Sequence, residues 1–134
     1  MPDTSVQLLS SDDYDDICAL WAAAGLPIRP VGRDSKQAFY AQLNSGNQVA
    51  FGIYNLEHQL IGIVLATHDS RKGWINRLAI HPDYQRQGFA AKLIEACEAH
   101  FKQLGILITA ALVETENTAS LALFEREGYY LHRE

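Results

Sequence analysis

Hydrophobic positions along the chain recur in two rhythms. Alternation marks Val6–Leu9 as a short strand and Val49, Phe51 and Ile53 as a half-buried one. The unbroken apolar run Leu60–Ala66 suits a central strand, and the polar turn at Asn55–His58 predicts a hairpin with the strand before it. Helical spacing instead joins Ile17, Leu20, Trp21 and Ala24, entered through Ser10 and Asp13 as a capping pair and left at Gly25. Pro27, Pro30 and Gly32 break any helix over Leu26–Gly32. Asp34 or Ser35 can then cap a second helix carrying Phe39 and Leu43, which Asn44–Asn47 closes.

After the polar loop His68–Gly73, Trp74–Ile80 reads as a strand that His81, Pro82 and Asp83 end. Phe89, Leu93, Ile94, Cys97, Phe101 and Leu104 hold a helical period between Gly88 and Gly105. Ile106–Val113 is strand-like again. Asn117 can cap a last helix through Leu121 and Phe124 to Gly128, and Tyr129–His132 reads as a final strand. The order β-α-α-β-β-β-α-β-α-β, without repeat or linker, predicts one α/β domain over residues 1–134, a mixed sheet flanked by helices.

Composition narrows the function classes. A chain of 134 residues suits one domain and excludes a second catalytic lobe. Hydrophobic residues at 48 % and charged residues at 20 % are ordinary globular values, and no apolar run reaches the roughly 20 residues of a membrane span. The first residues show no basic and apolar leader pattern, so the expected location is the cytoplasm, away from membranes. Cys18 and Cys97 sit in apolar helical patterns, which suits reduced core thiols better than a disulfide or a metal site. A net charge of −5 argues against nucleic-acid binding. The charge is uneven: Asp3, Asp12, Asp13, Asp15 and Asp16 form an acidic run, whereas Arg71, Lys72, Arg77, Arg86 and Lys92 face only Asp83 in theirs.

Within that basic stretch lies Gln85-Arg86-Gln87-Gly88-Phe89-Ala90, between a strand and a strongly amphipathic helix. A helix start exposes N–H groups and a positive dipole end, and Gly88 and Ala90 leave them open to a phosphate. Arg86 and Lys92 add charge there. A tight bend that simply needs Gly88 is the plainer explanation of the turn. Neither a Gly-x-x-x-x-Gly-Lys-Ser/Thr run nor a dinucleotide glycine fingerprint occurs.

The run Leu78–Leu93 resembles the signature of the GNAT superfamily of acyl-CoA-dependent N-acyltransferases, whose Gln/Arg-x-x-Gly-x-Gly/Ala core is matched at Gln85, Gly88 and Ala90. A second block, Asn117 through Ala122 and Phe124 to Gly128-Tyr129, is similar to that family's Asn-plus-aromatic helix. The resemblance implies a GNAT-like fold. It also implies acetyl-CoA as cofactor, with Leu78, Ala79 and Ile80 offering backbone groups to the pantetheine. Gln85, Arg86, Gln87, Gly88, Phe89, Ala90, Ala91 and Lys92 would form the pyrophosphate end, and Asn117, Ser120 and Phe124 would meet the acyl-CoA arm.

The implied reaction is N-acetyl transfer to a primary amine by direct attack on the thioester. An alkyl amine with pKa near 10.4 is only about one part in two thousand neutral at pH 7, so a proton acceptor matters. Candidates are the carboxylates Asp69, Glu114 and Glu116, with His68 as the loop imidazole. Arg77 and Asn76 stand where the family often has strand carboxylates. Phe124 stands where many members have the tyrosine that protonates the departing thiolate, so Ser120 or water would substitute, and Phe124→Tyr is expected to raise kcat where that departure limits.

The acceptor is expected beside the first two helices and the loop before Trp74, as a small-molecule or protein amine. Arg29, Arg33 and Arg77 could fix a carboxylate on it, whereas the acidic run could attract a polyamine or basic peptide. Trp21, Trp74 and Tyr40 are aromatic candidates for the pocket or the core. The rival to an enzyme is a non-catalytic acyl-CoA-binding sensor, favoured by Phe124 and the lack of an obvious base. Little room follows Tyr129 for the family's last strand, so that strand is expected to be missing, leaving an edge covered by a partner chain, as in a homodimer, or a less regular sheet.

Overall fold

Strand β1 spans Val6–Leu8, helix α1 Tyr14–Ala23, helix α2 Lys36–Asn44, and strands β2, β3 and β4 Gln48–Tyr54, Leu60–His68 and Lys72–Ile80. Helix α3 spans Phe89–Gln103, strand β5 Ile108–Ala111 and helix α4 Thr118–Arg126. These elements come from a computed structural model that describes residues 5–27, 32, 34–113 and 118–131. The Ser10 N–H donates to Asp13 Oδ2 at 2.9 Å and Ser10 Oγ accepts the Asp12 N–H at 3.2 Å, so the expected capping pair starts the turn that leads into α1. Ser35, rather than Asp34, caps α2 by accepting the Ala38 N–H at 3.1 Å.

The strands form one mixed sheet in the order β1-β2-β3-β4-β5, antiparallel except for the parallel pair β4–β5. Strand β3 is paired on both sides and covered on both faces, which is why Leu60–Ala66 is apolar without interruption. Ile53, Val64, Ala66 and Ile75 pack with Leu93, Ile94, Cys97 and Phe101 of α3 and Phe124 of α4. On the other face Ala50, Tyr54, Ile63 and Leu65 pack with Ile17, Leu20 and Trp21 of α1 and Phe39 of α2. Gly73 lets α3 close on the sheet, because a Cβ there would lie 2.5 Å from Phe101 ring atoms. Burial pushes the Cys97 thiol up to about 12, so it stays protonated as a packing group.

Two expected strand spans are corrected. Tyr129–Leu131 is not a strand, and His132 lies outside the described residues. The Tyr129 N–H donates to the Phe124 carbonyl at 2.9 Å, its ring stands edge-on to Phe124 at 5.1 Å, and its hydroxyl donates to Glu98 on α3 at 2.8 Å. These contacts fold the segment back under α4, where burial raises the phenol's pKa. The strand expected over Ile106–Val113 is limited to β5, since Ile106 is drawn into the core with its N–H on the Phe101 carbonyl at 2.9 Å. Among the described residues no strand pairs with the outer side of β5, consistent with the fold expected without its last strand.

Candidate functional site

Strand β4 behaves as two halves. Its pairing with β5 runs from Lys72 opposite Ile108 to Ile75 opposite Ala111, while its pairing with β3 continues to Ile80. Leu65 faces Asn76 and Ile63 faces Ala79, so Arg77 and Leu78 together oppose Val64, a β-bulge. Arg77 takes the left-handed conformation at φ 56°, which costs a side-chain-bearing residue about 1–2 kcal/mol. Helix α1 holds it there. The buried Trp21 donates its indole N–H to the Arg77 carbonyl at 3.2 Å, and the Arg77 guanidinium lies 4.3 Å from the Trp21 ring centroid while donating to the Pro27 carbonyl at 2.8 Å. Pairing with β5 stops at Ile75, just before the bulge, where β5 itself ends at Ala111. Asn76–Ile80 therefore keeps one backbone edge that no strand covers among the described residues.

That edge leads directly into the turn before α3. Gln85 Nε2 donates to the Ile80 carbonyl at 3.2 Å, tying the turn to the strand end. Arg86 and Gly88 are both left-handed, at φ 63° and 86°, and the second is the N-cap of α3. A Cβ on Gly88 would meet nothing within 4 Å, so the space over the first turn is open. The first N–H groups of a 15-residue helix have no intrahelical acceptor and carry its positive dipole end, and no acidic side chain lies in this first turn. Arg86 and Gln87 are exposed, and Lys92 Nζ lies 5.7 Å from the Phe89 ring centroid. The turn suits an anion.

On the α1/α2 face of the sheet an open cavity of about 340 Å³ is bordered by Asp34, Gln42, Gln48, Thr67, Asn76 and Arg77 over a floor of Leu65. Strand register assembles it, with Gln48 opposite Thr67 and Leu65 opposite Asn76. Gln48 Nε2 donates to Gln42 Oε1 at 3.2 Å, and Asn76 Nδ2 donates to Thr67 Oγ1 at 2.8 Å and to the Trp74 carbonyl at 3.3 Å. Asn76 and Arg77 belong both to this cavity and to the open half of β4.

Leu78, Ala79 and Ile80 fall on the open strand, and Gln85 through Lys92 on the turn and first helical turn. The Gln85 side chain is committed to supporting the backbone. Phe124, 8 % exposed, is a core residue against Tyr129, with half-buried Ser120 one turn before it. Glu114, Glu116, Asn117, Arg29 and Arg33 lie outside the described residues. Asp69 is removed from the candidate bases. Its Oδ1 accepts the N–H groups of Lys72 at 2.7 Å and Arg71 at 2.9 Å, which hold the carboxyl below its ordinary pKa, in the β3–β4 turn. The four residue steps from Lys72 to Asn76 put it about 13 Å from the open edge. His68 is fixed at the same turn, accepting the Ser70 N–H on Nδ1 at 3.1 Å.

Arg77 borders the cavity with its guanidinium already engaged, whereas half-buried Trp74 does not border it and Tyr40 is 57 % exposed. Of the acidic run, Asp13 and Asp16 both hydrogen-bond the Tyr54 hydroxyl, at 2.8 and 2.9 Å. Asp16 borders a separate cavity of about 160 Å³ with Gln59, Leu60 and His81. Asp34, Gln42, Gln48 and Thr67 were not legible as lining residues, because strand pairing and the docking of α2 on the sheet bring these distant positions together.

Residues 11–129 match the sequence profile of the acetyltransferase (GNAT) family. An acetyltransferase of Yersinia pestis (strain Pestoides F) is 26 % identical over 124 residues, covering 92 % of this chain and 86 % of its own. An aminoglycoside antibiotic 6'-N-acetyltransferase from Acinetobacter baumannii superposes with a TM-score of 0.82 at 17 % identity, over 98 % of this chain and 93 % of that one. A PaiA N-acetyltransferase from Thermoplasma acidophilum, solved with coenzyme A, does so with a TM-score of 0.78 at 19 % identity, over 96 % and 91 %. No helix among the described residues is long and apolar enough to cross a membrane.

Proposed function

The chain belongs to the acetyltransferase (GNAT) family, and on that premise we propose that it transfers an acetyl group from acetyl-CoA to a primary amine by direct attack on the thioester. The observation that carries the reading is the continuity of the uncovered β4 edge with the open, acid-free helix start at Gly88. Extended backbone suits the amides of a pantetheine, and an open helix end suits a pyrophosphate, so the residues present fit the donor. The donor, when bound, supplies the activated acyl group.

This chain's residues supply binding and polarisation. Backbone groups of Leu78, Ala79 and Ile80 hold the pantetheine, and an N–H of this stretch donates to the thioester carbonyl as negative charge develops on it. The left-handed Arg77 fixes these groups in advance, so little reorganisation accompanies reaction. Arg86, Lys92 and the first N–H groups of α3 hold the phosphates. The amine approaches from the α1/α2 face, where the cavity meets the open strand at Asn76 and Arg77. Its proton leaves through water, with Asp34 the one carboxylate among the described residues bordering that cavity.

A thermal melt with acetyl-CoA, followed by release of free CoA with an amine panel, tests the proposal. The expected result is a raised Tm and amine-dependent release above background hydrolysis. Absence of a thermal shift refutes donor binding, and a shift without turnover on any amine replaces catalysis with sensing.

A further inference from the structure

We propose that the cavity on the α1/α2 face selects a compact acceptor with one ammonium group and neutral hydroxyl or amide groups, excluding polyamines, aromatic amines and basic peptides. The inference rests on the acetyltransferase reading and concerns the acceptor end alone. A volume of about 340 Å³ is at the small-molecule end of ligand sites. Its border carries three carboxamides and a hydroxyl, and Leu65, 7 % exposed, is the one wholly apolar side chain on it among the described residues. An aromatic amine would leave those polar groups without partners, which is the strongest form of discrimination a site can make.

The pairings within the cavity set what it presents. Asn76 uses its amide nitrogen on Thr67 Oγ1 and the Trp74 carbonyl, so it presents Oδ1 as an acceptor. Thr67, already accepting from Asn76, keeps its hydroxyl proton to donate. Gln48 is oriented in the same way by its bond to Gln42 Oε1. A ligand hydroxyl, which both donates and accepts, matches an Oδ1 and an O–H presented side by side.

Charge sets the number of ammonium groups. Asp34 is the single carboxylate on the cavity border among the described residues, and the Arg77 guanidinium is directed to Pro27 and Trp21. The acidic run offered the alternative of a polyamine, but Asp13 and Asp16 are bonded to Tyr54, and Asp16 borders the other cavity beside Leu60. Leu60 and Thr67 lie seven residue steps apart on β3, about 23 Å of strand. Among the described residues a polyamine would find one carboxylate on this border, with Asp13 and Asp16 engaged by Tyr54.

The test compares serinol and D-glucosamine with spermidine, phenethylamine and a lysine-containing peptide as acceptors at saturating acetyl-CoA. The hydroxylated amines are expected to exceed the others by about tenfold or more in kcat/KM. Thr67→Val, which keeps the side-chain shape, and Asn76→Ala are each expected to raise KM for serinol about tenfold while leaving KM for acetyl-CoA within about twofold. Calorimetric binding of serinol to the CoA complex is expected to weaken in parallel. Preference for spermidine, phenethylamine or the peptide overturns this inference and leaves the acetyltransferase reading standing, as does an unchanged serinol KM in both variants. No turnover on any amine overturns both.

Discussion

Exchange of Gly88 for alanine and for glutamate separates backbone strain from charge at the proposed phosphate turn. Gly88 is left-handed at φ 86°, so either side chain costs about 1–2 kcal/mol of native stability, and no contact adds to this because a Cβ there meets nothing within 4 Å. For a domain of this size that is a fall in Tm of about 3–10 °C, the same in both variants. Only glutamate adds a charge. A carboxylate roughly 5–6 Å from a bound phosphate charge, at an effective dielectric between 20 and 80, is repelled by about 1–3 kcal/mol. The expected loss of CoA affinity in Gly88→Glu relative to Gly88→Ala is therefore about fivefold to a hundredfold. Titration calorimetry of CoA at low and high salt reads it directly, because the Debye length falls from about 10 Å at 0.1 M to about 3 Å at 1 M and should shrink the difference. Equal affinities of the two variants at low salt, or a difference that salt does not reduce, would refute the placement of the pyrophosphate.

Four further outcomes are expected. Phe124→Tyr raises kcat if departure of the thiolate is limiting, and lowers stability by about 1–3 kcal/mol because the ring is 8 % exposed; an unchanged kcat with CoA binding intact argues against a leaving-group acid at this site. Gly73→Ala destabilises by about 1–3 kcal/mol in a denaturant titration through its overlap with Phe101, and Phe101→Leu in the same chain recovers part of the loss. Burial, with His68 nearby, lowers the pKa of His100. Below the ordinary 6.5 the unfolded chain thus binds more protons, so this contribution to stability is present above pH 6.5 and is lost as pH falls through the lowered value. Urea unfolding across that range should show a shallower pH dependence in His100→Gln. The outer edge of β5, flanked by Leu107 and Leu112, 91 % and 86 % exposed, is expected to pair with a second copy. Sedimentation should show a dimer that lysine at both positions disperses, and a strictly monomeric parent would contradict the pairing.

The fold was legible wherever a pattern is local. The apolar run Leu60–Ala66 and the helical period from Phe89 to Phe101 marked β3 and α3 within a few residues, because burial on two faces or on one stripe imposes those patterns directly. Tyr129–Leu131 misled for the same reason, since its aromatic residues satisfy a strand pattern while the decisive contacts, to Glu98 and Phe124, are made on helices. The proposed donor site could be argued from sequence because its residues are consecutive around Gly88. The cavity proposed for the acceptor could not, because Gln48, Thr67 and Asn76 come together through sheet register while Asp34 joins them from the segment before α2. Asp69 attracted attention by its charge, yet that charge is spent on the N–H groups of a turn.

The extra residue has a consequence for how folding and function are divided along β4. Before it, Gly73 and Ile75 point toward α3, and after it Leu78 and Ile80 do so, with Ala79 toward α1. Removal of Arg77 alone would leave Asn76 followed by Leu78 in unbroken alternation, each core side chain on the face it now occupies, and Val64 opposite a single residue. The apolar side chains of the interior make no demand for Arg77, although Trp21 would lose its indole acceptor and the cation over its ring, and the Pro27 carbonyl would lose a donor. A chain one residue shorter could thus keep the core side chains of both halves of β4 on their present faces. The bulge beside the end of the β4–β5 pairing rests on one sequence position that the alternation of core side chains does not require.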